Sequence, residues 1–540
     1  MTENSGNILV VDDSVDWREM IGGLLAEAGY YVQTAADADQ AMRLLRLYPY
    51  HVAIVDLRLD EQDENNEEGL ILAERMKEYL PELAIIMLTG HANIPAVKQA
   101  LQPRESGSRI AFDFLEKHEI SRLLPSINIA FTRAARVNPH LLIQLDPALS
   151  WAKLHNTVEC LQALGAATAE LELRDLLQRV FFEAQTILVQ AMNGGHSSGS
   201  VVLVTPTMRG LLQTDVVVKF NEREKAERES RNYDSYVANY VGGARRTQRL
   251  DFRATARLGG IAYSFVGAEA IGFQRFSHAY ADNDTADIKD ILDNLFKETC
   301  YTWYTKTLQA NSFPHSLSAG YKEWLHLDAA KLNTALSEII ERAGTAQLTL
   351  SNSRRPNQAD IYLKERGVKL INPLLLSQAA FAYSGPFCFT HGDLHEGNIL
   401  VDTHNQTWLI DFYQTGLGHP VRDFAMLESA IKFSLQQSDC SLAVLYDWER
   451  MLLHVNSLTD PPSSTPPLQL DAELTKATEL IKYIRLLLSQ ILPEMSLKDY
   501  QVSLYFHALK AMTLARKFND RQRLHPLISA ALLAEVLQQV

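Results

Sequence analysis

Phe389 to Asp411 reads F-T-H-G-D-L-H-E-G-N-I-L-V-D-T-H-N-Q-T-W-L-I-D, which sets Asn398 five residues after Asp393 and Asp411 thirteen after Asn398. Each lies beside an apolar, strand-like run. Transfer of a phosphoryl group from a nucleotide asks for such a set. One carboxylate orients the attacking hydroxyl or accepts its proton, while an amide oxygen and a second carboxylate hold Mg²⁺ on the phosphates. A hydrated loop followed by a strand that stops at an aspartate would also satisfy the pattern. Three polar residues at this spacing, flanked by hydrophobic runs, favour the chemical reading.

A second set lies near the start of the chain. Asn7–Val11 is a short apolar run that leads into Asp12-Asp13, and His51–Val55 leads into Asp56. Ala84–Leu88 leads into Thr89, and Phe112–Glu116 into Lys117. In an open parallel sheet the carboxyl ends of strands gather along one edge. Three carboxylates, a hydroxyl and a lysine would meet there. Crowded carboxylates repel unless a divalent cation neutralises them, so the set implies Mg²⁺. The central carboxylate can then act as a nucleophile on a phosphoryl group, with Thr89 and Lys117 binding the new phosphate oxygens.

This pattern resembles the receiver domain of two-component response regulators over residues 5–130. The resemblance implies Asp56 as phosphoacceptor, Asp12 and Asp13 with Asp56 around the metal, Thr89 as switch hydroxyl, Phe114 as switch aromatic and Lys117 as phosphate partner. It also implies an upstream histidine kinase. Some features depart from the pattern. His118 follows Lys117 where the family usually has proline, and an acidic run, Asp60–Glu68, precedes what reads as a turn glycine, Gly69. A further insertion spans Gln102–Arg109.

Composition bounds the remainder. A chain of 540 residues, 46% hydrophobic and 21% charged, holds about three compact units. Its net charge of −14 disfavours nonspecific nucleic-acid binding. Cys160, Cys300, Cys388 and Cys440 are too scattered for a metal knuckle or a disulfide framework. The first residues lack the features of a signal peptide, and no apolar run is long enough to span a bilayer. The expected setting is the cytoplasm, with no nucleic acid or membrane as partner.

Leu154 to about Met192 carries apolar residues at helical spacing, among them Leu161, Leu164, Leu171, Leu176, Ile187 and Leu188. This predicts a helical connector, either carrying signal and homodimer contacts or simply packing. Gly195, Ser197 and Gly199 then form a small-residue turn whose backbone can approach phosphates. The strand-like run Asp215–Phe220 presents Lys219, which can reach a nucleotide. Glu227 and Glu229 lie on the helical stretch Glu222–Val241, and Glu229 is the preferred ion-pair partner for Lys219. Ile261–Gly267 reads as a hinge strand.

His391-Gly392-Asp393-Leu394 with Asn398, followed by Ile410-Asp411-Phe412, resembles the catalytic and metal-binding segments of the kinase superfamily. His395 stands where protein kinases usually have lysine. With Gly418–Ala425 behind it, the string is similar to aminoglycoside and choline phosphotransferases. It also resembles the bacterial ternary complex associated domains, which Asn232-Tyr233 suits best. The resemblance implies ATP and Mg²⁺ as cofactors, Asp393 as the catalytic residue, Asn398 and Asp411 as metal ligands, and Asp423 as a brace for the catalytic loop. The phosphate acceptor, small molecule or protein, is not readable.

The expected fold class is α/β. Residues 1–135 form a doubly wound (βα)5 flavodoxin-like receiver, and 136–192 a helical connector. A two-lobed protein-kinase-like α+β domain follows, with its N-lobe at 193–270 and a largely helical C-lobe at 271–540. Leu504–Val540 reads as two amphipathic helices. The corresponding function is a response regulator with a phosphotransferase output, and the competing one is a signalling scaffold on an inactive kinase fold.

Overall fold

The computed structural model describes residues 6–538 except 60–66, 91–93, 104–108, 158, 192–200, 242–245, 267–272, 310–315, 352–359, 465–466 and 515–519. Gly195, Ser197 and Gly199, most of the acidic run and most of the second insertion lie outside the described residues. The chain divides into two compact units, Met1–Ser230 with Arg249–Ser264, and Arg231–Gln248 with Phe265–Val540.

The first unit begins with five apolar strands, β1 (Asn7–Val11), β2 (Tyr31–Ala35), β3 (Val52–Val55), β4 (Ala84–Thr89) and β5 (Asp113–Glu116). All pair in parallel, in the order β2-β1-β3-β4-β5. Helices α1 (Val15–Glu27), α2 (Ala38–Leu47), α3 (Glu68–Tyr79), α4 (Ile94–Leu101) and α5 (Leu123–Ile129) complete it. Separate apolar cores on the two faces bury β3 and β4 completely, as the near-continuous Val, Ile and Leu runs of a parallel sheet require. The doubly wound, flavodoxin-like arrangement expected of this part is present.

The rest of the first unit departs from a helical connector. Strand β6 (Leu142–Leu145) comes first, then α6 (Trp151–Thr157), α7 (Glu159–Gln162) and α8 (Ala166–Val180), and then β7 (Thr186–Ala191). Strands β8 (Val201–Met208), β9 (Leu211–Leu212), β10 (Val216–Glu222), β11 (Arg246–Ala254) and β12 (Leu258–Val266) follow, with α9 (Arg223–Asn232) after β10. Their sheet runs β11-β12-β10-β8-β7-β6. Ile187 and Leu188 thus belong to a strand, and the sheet starts well before residue 193. Burial alternates along β7, a two-residue period that an apolar pair alone cannot distinguish from a helical one.

α8 fastens this sheet to the receiver. The Asn7 N–H donates to His51 Nδ1 at 3.1 Å, so His51 carries its proton on Nε2 and donates it to Asp175 at 2.8 Å. Burial alone would raise the Asp175 pKa, but Arg179 and His51 hold it below the ordinary carboxylate value. Arg179 bonds Asp175 at 3.0 Å and the Ala135 carbonyl at 3.3 Å. At a second contact, Arg223 at the start of α9 donates to both oxygens of Glu82, at 3.0 and 3.2 Å.

The second unit is mainly helical, with small sheets set among the helices. Strand β13 (Gln274–Arg275) is followed by β14 (Leu348–Ser351), β15 (Asp360–Leu363) and β16 (Val368–Leu370), which pair with one another. β17 (Cys388–Thr390), β18 (Ile399–Val401), β19 (Thr407–Leu409) and β20 (Gly416–Gly418) come next. β18 pairs with both β13 and β19, and β17 with β20. The helix Leu497–Thr513 is not amphipathic as expected: Tyr500 to Leu509 are all buried, because other helices pack around it. No helix among the described residues is long and apolar enough to cross a membrane.

Candidate functional site

At the carboxyl ends of β1 and β3, Asp12, Asp13 and Asp56 come together, with ligand oxygens all within 4.8 Å of one another. Lys117 projects from the end of β5 and bonds Asp12 at 2.7 Å and Asp56 at 2.6 Å. Burial raises the Asp12 pKa above the ordinary carboxylate value, and the Lys117 bonds offset that only in part. Burial would lower Lys117, but Asp12 and Asp56 raise it, so the amine stays charged. Thr89 is buried at the end of β4, and Phe114, on β5, packs partly buried against one core.

Two further residues shape this site. The Lys117 amine lies 4.8 Å above the Trp17 ring centroid, a cation–π contact that nothing in the spacing of Trp17 announced. Gly69 is not in a turn: it lies in the first turn of α3, its N–H donating to the Leu57 carbonyl at 3.0 Å. A Cβ there would meet the Asp56 carbonyl oxygen at 1.8 Å, so glycine is what lets α3 approach the strand end that carries Asp56.

In the second unit the Asp393 loop is held from beneath. The buried Asp423 carboxylate accepts the N–H of His391 at 2.7 Å, that of Gly392 at 2.8 Å and the Tyr304 hydroxyl at 3.0 Å. Gly392 has φ +83°, and a Cβ on it would strike the Arg422 guanidinium at 1.5 Å. The Asn398 amide donates to the Asp393 carbonyl at 2.9 Å and to its carboxylate at 3.4 Å. Asp411 follows β19 in a left-handed conformation, φ +70°. The Ile410 N–H donates to the Asn398 carbonyl at 3.1 Å, so the Asn398 and Asp411 backbones run side by side. Burial lowers the His391 pKa, which keeps its ring neutral, and Nε2 meets the Ile410 carbonyl at 3.0 Å.

Asn232 has a role that its spacing did not reveal. Its side-chain amide donates to the carbonyls of Phe412 at 3.2 Å and Tyr413 at 2.7 Å, which anchors the turn after Asp411. In the first unit, Lys219 on β10 meets Glu229 of α9 at 2.7 Å, and the Tyr263 hydroxyl donates to the other Glu229 oxygen at 3.0 Å. Glu227, the alternative partner, instead bonds Arg223 at 2.8 Å. Lys219 and Asp411 belong to different units. A cavity of about 380 Å³, lined by Lys289, Pro461, Pro462, Lys482, Tyr483 and Leu486 among others, shares no residue with these groups.

Comparison with known proteins resolves two stretches. Residues 8–127 match the response regulator receiver domain, and residues 341–513 match ternary complex associated domain 9. The nitrogen assimilation regulatory protein NtrX of Azorhizobium caulinodans is 32% identical over 111 residues, which is 21% of this chain and 22% of that one. The transcriptional regulatory protein FixJ of Bradyrhizobium diazoefficiens is 31% identical over 130 residues, 24% of this chain and 58% of that one. The crystal structure of the NtrX receiver domain from Brucella abortus is 32% identical and covers 23% of this chain and 98% of that one, with a TM-score of 0.20. The chain thus spans about a fifth of the length of the NtrX-type relatives it matches. Residues 8–127 are a receiver domain of the response-regulator type, similar to that of NtrX, and a ternary complex associated domain 9 region follows at 341–513.

Proposed function

We propose that this chain is a cytoplasmic phosphorelay response regulator whose Asp56 takes a phosphoryl group from a histidine kinase, and whose output is a kinase-like, Mg²⁺- and ATP-dependent phosphotransferase. For the receiver, the three close carboxylates of Asp12, Asp13 and Asp56 suit a hard divalent cation. Mg²⁺ bound there would supply charge neutralisation. Lys117 contacts Asp56 and would bond a phosphoryl oxygen on it, and Thr89, buried at the neighbouring strand end, would supply a hydroxyl.

For the output, the observation that carries the reading is the brace under Asp393. A buried carboxylate receives two consecutive loop N–H groups, and the Asn398 amide fixes Asp393 itself. Such investment in the position of a partly exposed carboxylate suits a group that must meet an incoming hydroxyl. Asn398 and Asp411 would hold Mg²⁺, and Lys219, fixed by Glu229, would contact the ATP phosphates. The acceptor is a small molecule or a protein bearing a hydroxyl.

The scaffold reading draws on the match over residues 341–513, since the name ternary complex associated domain describes assembly, not catalysis. Calorimetry with MgATP separates the two. The enzyme reading expects metal-dependent ATP binding that Asp411→Ala removes. Asp393→Ala should keep binding and lose phosphoryl transfer. Wild-type protein that binds no ATP at any Mg²⁺ level would decide for the scaffold.

A further inference from the structure

Beside the Asp393 loop the second unit buries a cation that the roles above do not use. Arg275 ends β13 and stands opposite Leu400 of β18. Residues opposite each other across a strand pair share a face, as do residues two apart along a strand, so Arg275 and Leu400 lie on the face that Asn398 enters. The Arg275 Nη1 atom lies 3.6 Å from the point a Gly397 Cβ would occupy, which puts the guanidinium against the loop between Glu396 and Asn398. Arg275 is only 6% exposed. Among the described residues no ion pair or hydrogen bond engages its guanidinium, and none of its nitrogens is among the fully buried polar atoms that lack a partner, so the fork keeps an opening to solvent.

Arg485 of the same unit, by contrast, is gripped by both oxygens of Glu428, at 2.7 and 2.9 Å. Burial draws the Arg275 pKa below the ordinary arginine value, and the more distant Glu396 restores it only in part. The guanidinium fork of N–H donors matches the paired oxygens of a phosphate or a carboxylate.

We propose that Arg275 is an oxyanion-binding residue, which grips a phosphate or carboxylate group brought beside Gly397 and Asn398. The group comes from the nucleotide or from an anionic acceptor, and the inference rests on the phosphotransferase reading for which of these arrives. If the nucleotide supplies it, Arg275 helps hold the phosphates. If the acceptor supplies it, Arg275 selects acidic acceptors for Asp393.

The test is calorimetry on the full chain with three probes: MgATP, adenosine, and inorganic phosphate added in the presence of Mg²⁺. With the nucleotide as source, R275Q weakens MgATP roughly tenfold and leaves adenosine unchanged. With the acceptor as source, R275Q weakens phosphate roughly tenfold and leaves MgATP unchanged. E396Q controls for a purely structural pairing. If R275Q lowers the melting temperature as E396Q does, and changes neither MgATP nor phosphate affinity, the proposal is overturned. If R275Q does not fold, R275K carries the test: a loss of roughly threefold or more in either arm supports the proposal, and unchanged affinities overturn it. Wild-type protein that binds phosphate through Arg275 but no MgATP would sink the nucleotide reading and keep the oxyanion site. Wild-type protein that binds neither overturns the oxyanion site as well.

Discussion

Both the receiver and the second unit bury carboxylates, and they use them differently. In the receiver, Asp12 and Asp56 crowd together at strand ends, next to Asp13, and share the single amine of Lys117. In the second unit, buried acids are dispersed, each with partners of its own. Asp423 takes backbone N–H groups, Glu428 takes Arg485, and Glu449 takes Lys432 and His525, both at 2.7 Å. Crowding leaves charge that a cation or a phosphoryl group can engage, whereas private pairing spends the charge on holding the fold. In this chain the crowded acids are the candidates for chemistry, and the dispersed ones hold the fold.

The largest expected effect breaks the comparison on the receiver side. Acetyl phosphate with Mg²⁺ should place an acid-labile phosphate on the protein, and Asp56→Asn should remove it entirely. Intact-mass measurement that finds the label retained in the variant would show that crowding did not pick out the reactive carboxylate.

Next is Asp423→Ala in the second unit. It strands two buried loop N–H groups and the Tyr304 hydroxyl, which should cost on the order of 4 kcal/mol in denaturant unfolding. Asp423→Asn, whose single amide oxygen can still accept from His391 and Tyr304 but not from Gly392, should lose less. Equal losses would mean that the charge, not the hydrogen bonds, is what matters there.

A pH series sharpens the same contrast. Burial alone would raise the Glu449 pKa, but Lys432 and the His525 hydrogen bond bring it down to about 2. A depressed folded-state pKa gives stability that is complete above the unfolded value near 4.5 and is lost as pH falls towards about 2. The loss over that window should be about 3 kcal/mol. Glu449→Gln should flatten it while lowering stability at neutral pH. An unchanged acid limb in the variant would show that other carboxylates control it.

The smallest effect concerns the contact between receiver and α9. Glu82 and Arg223 are both partly exposed, so solvent screening limits their bond to about 1 kcal/mol or less. Yet α9 also carries Glu229, the partner of Lys219. Glu82→Ala should speed amide exchange in α9 by roughly fivefold at most, without altering Asp56 labelling. No change in α9 would mean that the receiver is held by His51, Asp175 and Arg179 alone.

Much of the receiver is legible along the chain because four of its strands are apolar runs that stop at a candidate residue. Period and candidate chemistry coincide there, and the four strand ends needed only the parallel-sheet rule to be gathered. The sheet after it is less legible, since Ile187-Leu188 suits a helix as well as a strand, and only pairing with β6 and β8 chooses. Likewise, helix Leu497–Thr513 looks two-faced until its neighbours close over both faces.

Local chemistry by itself determined which residues were candidates: Asp12, Asp13, Asp56, Lys117, Asp393, Asn398 and Asp411 follow from residue type and spacing. Tertiary structure alone decided their partners. Trp17 beneath Lys117, Gly69 against Asp56, Asn232 on the turn after Asp411, and Arg275 beside Gly397 all join residues distant in the chain. The physical reason is that an apolar period or a motif constrains neighbours within one element. A desolvated contact between elements depends on which surfaces are buried together, and no local pattern encodes that.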